Sequence, residues 1–471
     1  MRSSLLIFLA TAAIAGEPFG IQVQDENTGR GVPMVTLETV NGIRLITDSA
    51  GWVAFDEPGL MKQRVHFTVS TPGYTFPKDS FGVAGLMFEA KPGTTVDLRL
   101  VRSNLAERLY RITGQGIYRD STLLGKDSAL PLPNLAGGVM AQSDAQMAVY
   151  QGKCFWLWGN TQRAAHPNGN GRCAGATSDL PASGGLDSTQ GIHFSYFVDD
   201  RGDTLPMLPG KEPGTVKLEG LVSVKDASGA EHLIAHYARE EQGKLAEHGL
   251  AEITAQREFE RITVLGADYT WQFPQGHAVR VIDEKDKTER YYFATPLAHV
   301  RVPAIYEAMT TPTRYEALAW DEDKGEVVWQ QAAPPMTRED EDTLITKKRI
   351  QGKEERMQLT DALTHKELKP RSGSIRWNAF LKAWIMIFGT DDSSIWLAQS
   401  PSVDGPWHKA VQLATHEGHK ADAVAQFDVF NQEQGKLVYF QCTIGAGDVK
   451  TPRYDGNAIM YRVDLSDARF Q

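Results

Sequence analysis

Over much of its length the chain alternates apolar and polar positions with a period of two, the pattern of half-buried strands. Gly20-Ile21-Gln22-Val23-Gln24 opens the series, and a turn follows at Asp25-Glu26-Asn27-Thr28-Gly29. Val32–Leu37, Thr47–Phe55, Val65–Val69 and Thr95–Leu100 continue it, with Pro72-Gly73-Tyr74 as punctuation. Short strands with turn signals about every eight to twelve residues predict a small β-sandwich over 16–102. From 103 to 471 the pattern becomes repetitive. An apolar run, a polar turn and a second apolar run recur at 148–158, 221–238, 279–294, 316–330, 375–388 and 429–441. Each reads as a β-hairpin, with turns such as Asp226-Ala227-Ser228-Gly229, Glu284-Lys285-Asp286, Asp323-Lys324-Gly325 and Glu433-Gln434-Gly435. A lone hairpin cannot cover both its faces, so a recurring antiparallel unit predicts a β-propeller, with one or two further sandwiches as the alternative. The charged stretch from Arg338 to Arg356 interrupts the pattern and reads as a solvated helix or excursion.

Two features bear on the compartment. Residues 1–15 combine Arg2, an apolar stretch from Leu5 and the small-residue site Ala13-Ile14-Ala15, which is the pattern of a cleavable signal peptide. The mature chain is therefore expected to be secreted or periplasmic. No later apolar run approaches the ~18 residues of a membrane span. The run Trp384–Phe388 has only strand length. Three cysteines make no disulfide framework, although Cys154 and Cys173 flank a Gly/Asn-rich loop that an oxidising compartment would allow them to bridge; two buried free thiols are the alternative.

Composition narrows the function classes. Hydrophobic residues at 41% supply a core, and a formal charge of −10 gives no electrostatic footprint for nucleic acid or an anionic membrane. Gly 43 and Trp 10 suit a turn-rich β protein.

Two stretches carry resemblances. Asp25, Thr28, Gly29 and Val32, then Thr47-Asp48 with Gly51 and Phe55, then Pro72-Gly73-Tyr74, resemble the transthyretin-like or carboxypeptidase-regulatory-like domains, which act as spacers or packing partners. Ser400 to Gly405-Pro406-Trp407 resembles the S-x-x-x-x-G-P-W turn of five-bladed propeller glycosidases of the arabinanase, fructosidase and mannoside-phosphorylase kind, and the Ile375–Met386 hairpin with Trp377 is similar to their blades. The ending Pro452 to Tyr461 resembles uncharacterised secreted proteins of planctomycetes and soil bacteria. The resemblance implies an all-β chain, a small sandwich followed by a five-bladed propeller, acting on carbohydrate as a glycoside hydrolase. It implies no cofactor beyond an axial calcium ion, which no dense Asp/Asn loop here demands.

Glycoside hydrolysis generally needs two carboxylates, and in such propellers these stand on the innermost strands. Asp144, before the first hairpin, is the candidate base. Glu219, before the second, is the candidate acid, with Asp120 in Tyr118-Arg119-Asp120-Ser121 as the other choice. A turn cap for Asp120 and a satisfied surface position for Asp144 and Glu219 are the plain readings. The chain departs from the expected Gln-Asp-Ser and Gly-Asp-Thr with Gln142-Ser143-Asp144 and Gly159-Asn160-Thr161, and a one-residue shift turns a side chain to the other face. His277, Arg301, Arg376 and Asn378 are the candidate substrate-binding groups, suited to sugar hydroxyls or a uronate. Their alternatives are a core histidine, two inter-blade ion pairs and a turn residue. Trp156, Trp158, Trp271 and Trp377 read first as core. His416-Glu417-Gly418-His419 lacks the i, i+4 spacing of a helical zinc pair, so no metal ligand is assigned. Two rival functions remain: a non-catalytic glycan- or protein-binding propeller, and a polysaccharide lyase with a His or Tyr base and an arginine on the uronate.

Overall fold

The computed structural model describes residues 16–131, 136–163, 173–210, 212–283, 286–445 and 455–471. Residues 1–15, expected to be a signal peptide, residues 164–172 of the loop between Cys154 and Cys173, Glu284-Lys285 and Pro452-Arg453-Tyr454 lie outside the described residues. The chain is all-β, with short helices confined to connections.

Two four-stranded sheets form the N-terminal unit. One runs in the order Trp52–Phe55, Phe19–Asp25, Thr95–Arg102, Tyr74–Thr75; the other in the order Arg44–Ile46, Thr36–Thr39, Arg64–Ser70, Gly85–Glu89. Period-two burial explains the pairing. Phe19, Ile21 and Val23 from one sheet meet Leu37, Phe67 and Val69 from the other, and Phe55 stacks edge-on to Phe19 at 5.5 Å.

Five sheets follow, antiparallel except where Thr360–Asp361 pairs parallel to Lys409–Ala414 at the edge of sheet 4. Sheet 1 contains Gln146–Tyr150, Lys153–Arg163 and Cys173–Ser178; sheet 2 runs Thr215–Lys225, Glu231–Glu241, Lys244–Ile253, Phe259–Val264. Sheet 3 runs from His277–Ile282 to Glu326–Gln330, sheet 4 has Ser372–Asn378, Ala383–Gly389, Ile395–Ser400 and Lys409–Ala414, and sheet 5 has Lys420–Gln426, Leu437–Gly445 and Asn457–Asp464. Sheet 5 is completed by Glu107–Arg111, so the strand entering this region pairs with the last strand leaving it.

The sheets pack in cyclic order. Phe155 and Leu157 of sheet 1 meet Leu218 and Leu233 of sheet 2, and Val222 and Ile234 meet Phe293 and Val300 of sheet 3. Val279 and Tyr292 meet Ile375 and Met386 of sheet 4, whose Ile385 and Ile387 meet Val424 and Phe440 of sheet 5. Ala425, Tyr439 and Met460 then meet Ala145, Trp156 and Trp158 of sheet 1, closing the series. The inner strands of each sheet are thereby covered on both faces, which a single hairpin could not achieve.

Two expectations change here, and the choice between a bridge and two free thiols is decided. The hairpin expected at 429–441 is absent: Gln426 ends the first strand of sheet 5, and two 3-10 turns, Asp428–Phe430 and Glu433–Gly435, lead to Leu437. The charged stretch contains a capped helix, Arg338–Thr346, but Glu341 is fully buried, accepting from the Arg356 and Met357 amides and from Gln358 Nε2, so it is a structural tie rather than a solvated face. Cys154 and Cys173 are both buried free thiols. Cys154 pairs with Ser178, whereas Cys173 pairs with Asn160, near the other end of the strand. At ~3.4 Å per residue the separation is roughly 20 Å, far beyond disulfide reach.

The sandwich is tied to the sheets by buried polar contacts. Arg108 donates to the Pro33 and Pro72 carbonyls and to Thr71 Oγ1. Asp48 accepts from the Ser121 amide and hydroxyl, each at 2.7 Å, and from the Ala50 and Trp52 amides. Burial nevertheless dominates, and raises the Asp48 pKa to about 6 against the lowering effect of its donors; the nearby Asp120 carboxylate adds to the rise.

Candidate functional site

The first strands of sheets 1 to 4, with the segment that follows the first strand of sheet 5, line a cavity of 510 Å³. Its wall takes Ala148 from sheet 1, Leu221 to Lys225 from sheet 2, Ala278 to Arg280 from sheet 3, Arg376 and Trp377 from sheet 4, and Asp428 just past the first strand of sheet 5. Leu221 to Lys225, Arg376 and Trp377 lie toward the exit ends of their strands, whereas Ala278 to Arg280 follow directly on His277. Arg376 is buried; its guanidinium donates to the Ile375 carbonyl, and its Nε stands 3.5 Å from Asp428. Trp377 is 49% exposed and meets Trp384 edge-on at 5.6 Å. An apolar aromatic face beside a cation suits a sugar ring carrying polar or anionic substituents.

Asp144 lies two residues before the first strand of sheet 1, Glu219 in the middle of that of sheet 2, and His277 opens that of sheet 3. Asp144 is exposed at φ 55°, and its Oδ2 accepts from the Ser143 hydroxyl at 3.0 Å. The Gly159 amide donates to the Ser143 carbonyl, which holds this turn against the second strand of sheet 1. His277 is partly buried; burial, and then the Arg376 guanidinium, push its pKa down to about 3, so its ring is neutral.

Glu219 begins a row of three polar side chains across sheet 2. Its Oε1 lies 3.2 Å from His236 Nδ1; His236 Nε2 lies 3.1 Å from His248 Nδ1; His248 Nε2 lies 3.4 Å from the Gly266 carbonyl. The carboxyl is 47% exposed and the two rings are buried. A bulge creates this row. From Lys225↔Glu231 back to Val222↔Ile234 the pairing runs in one register, and it then shifts so that Glu219 faces His236. Gly220 supplies the shift at φ 61°, where a Cβ would come 2.3 Å from the Pro274 carbonyl carbon.

The other expected site residues are engaged elsewhere. Asp120 is buried against the sandwich, where its carboxylate accepts from the Ala54 amide at 2.9 Å and pairs with Arg119. Arg301, on the third strand of sheet 3, pairs with Glu316 at 2.6 Å and lies 4.3 Å over Trp329. Asn378 is a turn residue: its amide donates to the Gly435 carbonyl and its oxygen accepts from the Leu381 amide. Trp156, Trp158 and Trp271 are core residues. Trp407 is fully buried in the core of sheet 4 with Met386, Trp396 and Ala410. Both nitrogens of His416 are used, on the Ser393 carbonyl and the Tyr461 hydroxyl. His236 and His248 were not singled out from the sequence; hairpin arithmetic around Asp226–Ala230 would have placed Tyr237, not His236, opposite Glu219 had the bulge been overlooked.

No family model and no curated protein matches the chain. Among solved structures, a putative hydrolase from Bacteroides ovatus is similar at 10% identity over 70% of this chain and 86% of that one, with a TM-score of 0.41. An exo-1,5-alpha-L-arabinanase from a bovine ruminal metagenomic library gives 11% identity over 70% and 94%, with a TM-score of 0.35. A GH43_1 enzyme from Xanthomonas citri, complexed with xylotriose, gives 10% identity over 69% and 87%, with a TM-score of 0.33.

Proposed function

We propose that the chain is exported by its signal peptide, and that a transthyretin-like sandwich carries a five-bladed propeller acting as a glycoside hydrolase on a polysaccharide or oligosaccharide. The cyclic order of the five inter-sheet clusters supports the propeller. The observation that carries the hydrolase reading is Glu219: a half-exposed carboxyl in the middle of the first strand of sheet 2, beside the bulge, held from behind by a buried histidine. In this reading Glu219 protonates the leaving glycosidic oxygen, and the exposed Asp144 activates water or attacks directly. Asp120, tied to the Ala54 amide, takes no part. The test is a panel of plant and bacterial polysaccharides, with reducing-sugar release followed for the wild type, Glu219→Gln and Asp144→Asn. Release by the wild type and a loss of at least about 100-fold in each variant supports the assignment. Release that survives both substitutions removes it.

A second reading is a non-catalytic glycan-binding propeller. It is favoured by the central cavity, whose wall offers Arg376, Trp377 and Trp384 and none of Asp144, Glu219 or Asp120. Retention of the protein on a polysaccharide that it does not cleave distinguishes this reading from the first.

A further inference from the structure

The hydrogen-bond polarity of the row behind Glu219 fixes where a proton must sit. A carbonyl oxygen only accepts, so the contact between His248 Nε2 and the Gly266 carbonyl requires a hydrogen on Nε2. Burial lowers the pKa of His248 against the raising effect of the Gly266 carbonyl, and the neighbouring His236 adds to the fall, which favours the neutral ring; in that ring, with Nε2 protonated, Nδ1 is a lone pair. That lone pair must accept from His236 Nε2, which therefore carries a hydrogen. The remaining contact joins His236 Nδ1 to Glu219 Oε1, and two lone pairs cannot bond to each other.

We infer that Glu219 and His236 jointly hold one proton between Oε1 and Nδ1, with His248 as the positioning residue that forbids the alternative tautomer. The pair is either a carboxylic acid facing a neutral imidazole or a carboxylate facing an imidazolium. In the first form the deliverable proton stands on the half-exposed carboxyl; in the second it stands on the buried His236 Nδ1 and reaches a ligand only by way of that carboxylate. The rings have little freedom to escape this arrangement. His236 lies flat on Phe273, with centroids 3.9 Å apart and an interplanar angle of 13°, and Phe273 also meets His248 edge-on. A ring flip of His248 would have to abandon the Gly266 carbonyl.

This assigns two residues, His236 and His248, to a proton-holding device. It stands apart from the hydrolase reading, which uses it: any ligand presenting a basic oxygen at Glu219 would meet the same acid.

Long-range 1H–15N correlation spectra of the 15N-labelled full chain read the tautomers, with His236→Gln and His248→Gln spectra assigning the two rings. The expected result is a neutral His248 protonated at Nε2, and a His236 protonated at Nε2 with a further proton on Nδ1 or on the Glu219 carboxyl. The infrared carboxylic-acid band lost in Glu219→Gln identifies the latter form. Glu219→Gln should leave His236 neutral and Nε2-protonated, because the glutamine amide now donates to Nδ1. His248→Phe removes the constraint and should let His236 move to the Nδ1–H tautomer, donating to an ionised Glu219. A wild-type His236 that is neutral and Nδ1-protonated, or neutral beside an ionised Glu219, overturns the inference. So does a His236 whose tautomer is unchanged in a folded His248→Phe. Should that variant fail to fold, the wild-type tautomers alone decide. A shared proton without any polysaccharide hydrolysis leaves this inference standing and removes the hydrolase reading; hydrolysis without the shared proton does the reverse.

Discussion

Asp48→Asn tests the seam between the sandwich and the five sheets. The Asp48 side chain is fully buried and accepts four hydrogen bonds, yet its pKa is raised to about 6 because desolvation outweighs them. The sign follows from linkage. Between the unfolded value near 3.8 and the folded value near 6, the folded state binds more protons, so stability falls as pH rises through this window and levels off above it. About two pKa units correspond to at most about 3 kcal/mol. Asparagine cannot ionise, so it removes this dependence. It also costs acceptors: with its oxygen kept on the Ala50 and Trp52 amides, its amino group faces the Ser121 amide, and an orphaned buried donor costs about 1–3 kcal/mol. The variant should thus be less stable than wild type at pH 4, with the gap narrowing by pH 6.5 as the wild type loses its proton. Thermal unfolding midpoints of both proteins, taken from pH 4 to 7, measure the gap directly, and the subtraction cancels every other titrating group. A gap that stays constant, or widens toward neutral pH, refutes the dominance of desolvation at Asp48.

Three further outcomes are expected. Gly220→Ala forces a side chain into the left-handed region, at about 1–2 kcal/mol, and against the Pro274 backbone; it should lower the unfolding midpoint and disrupt the His236 signal, and an unperturbed His236 would show that the bulge does not set the row. Trp377→Ala should weaken glycan retention about tenfold, equivalent to about 1.4 kcal/mol, with no change in unfolding midpoint, because the ring is half exposed; affinity electrophoresis reads the first and calorimetry the second. Native protein should resist alkylation, since burial pushes the Cys154 thiol up to about 11 and Cys442 up to about 12, while denatured protein should take three alkyl groups without prior reduction, which mass spectrometry counts.

Much of the local structure was legible in the residues. Alternation and turn residues located most of the strand pairs, because hairpin pairing is set by short-range pattern: the Asp226–Gly229 and Asp323–Gly325 turns do connect paired strands. Asn378 as a turn residue was equally readable, since its side chain serves the backbone three positions on. The hairpin at 429–441 was misplaced because Val429 and Phe430 are apolar for a reason outside their own segment: Phe430 packs against Trp156 of sheet 1.

The sequence by itself determined the class of the chain: period-two patterning and its turn residues commit it to strands, and its acidity leaves no footprint for nucleic acid. Tertiary structure alone decided which polar residues meet. Asp120 and Glu219 look alike as isolated carboxylates, but sheet packing buries one against the Ala54 amide and leaves the other half exposed before a histidine. The cysteines that flank one loop end on different faces of sheet 1, because pairing register, not proximity in sequence, sets their separation. The row from Glu219 to Gly266 exists because one glycine bulge slips the register by a single residue, a displacement that no local pattern encodes and that the neighbouring Pro274 backbone holds in place.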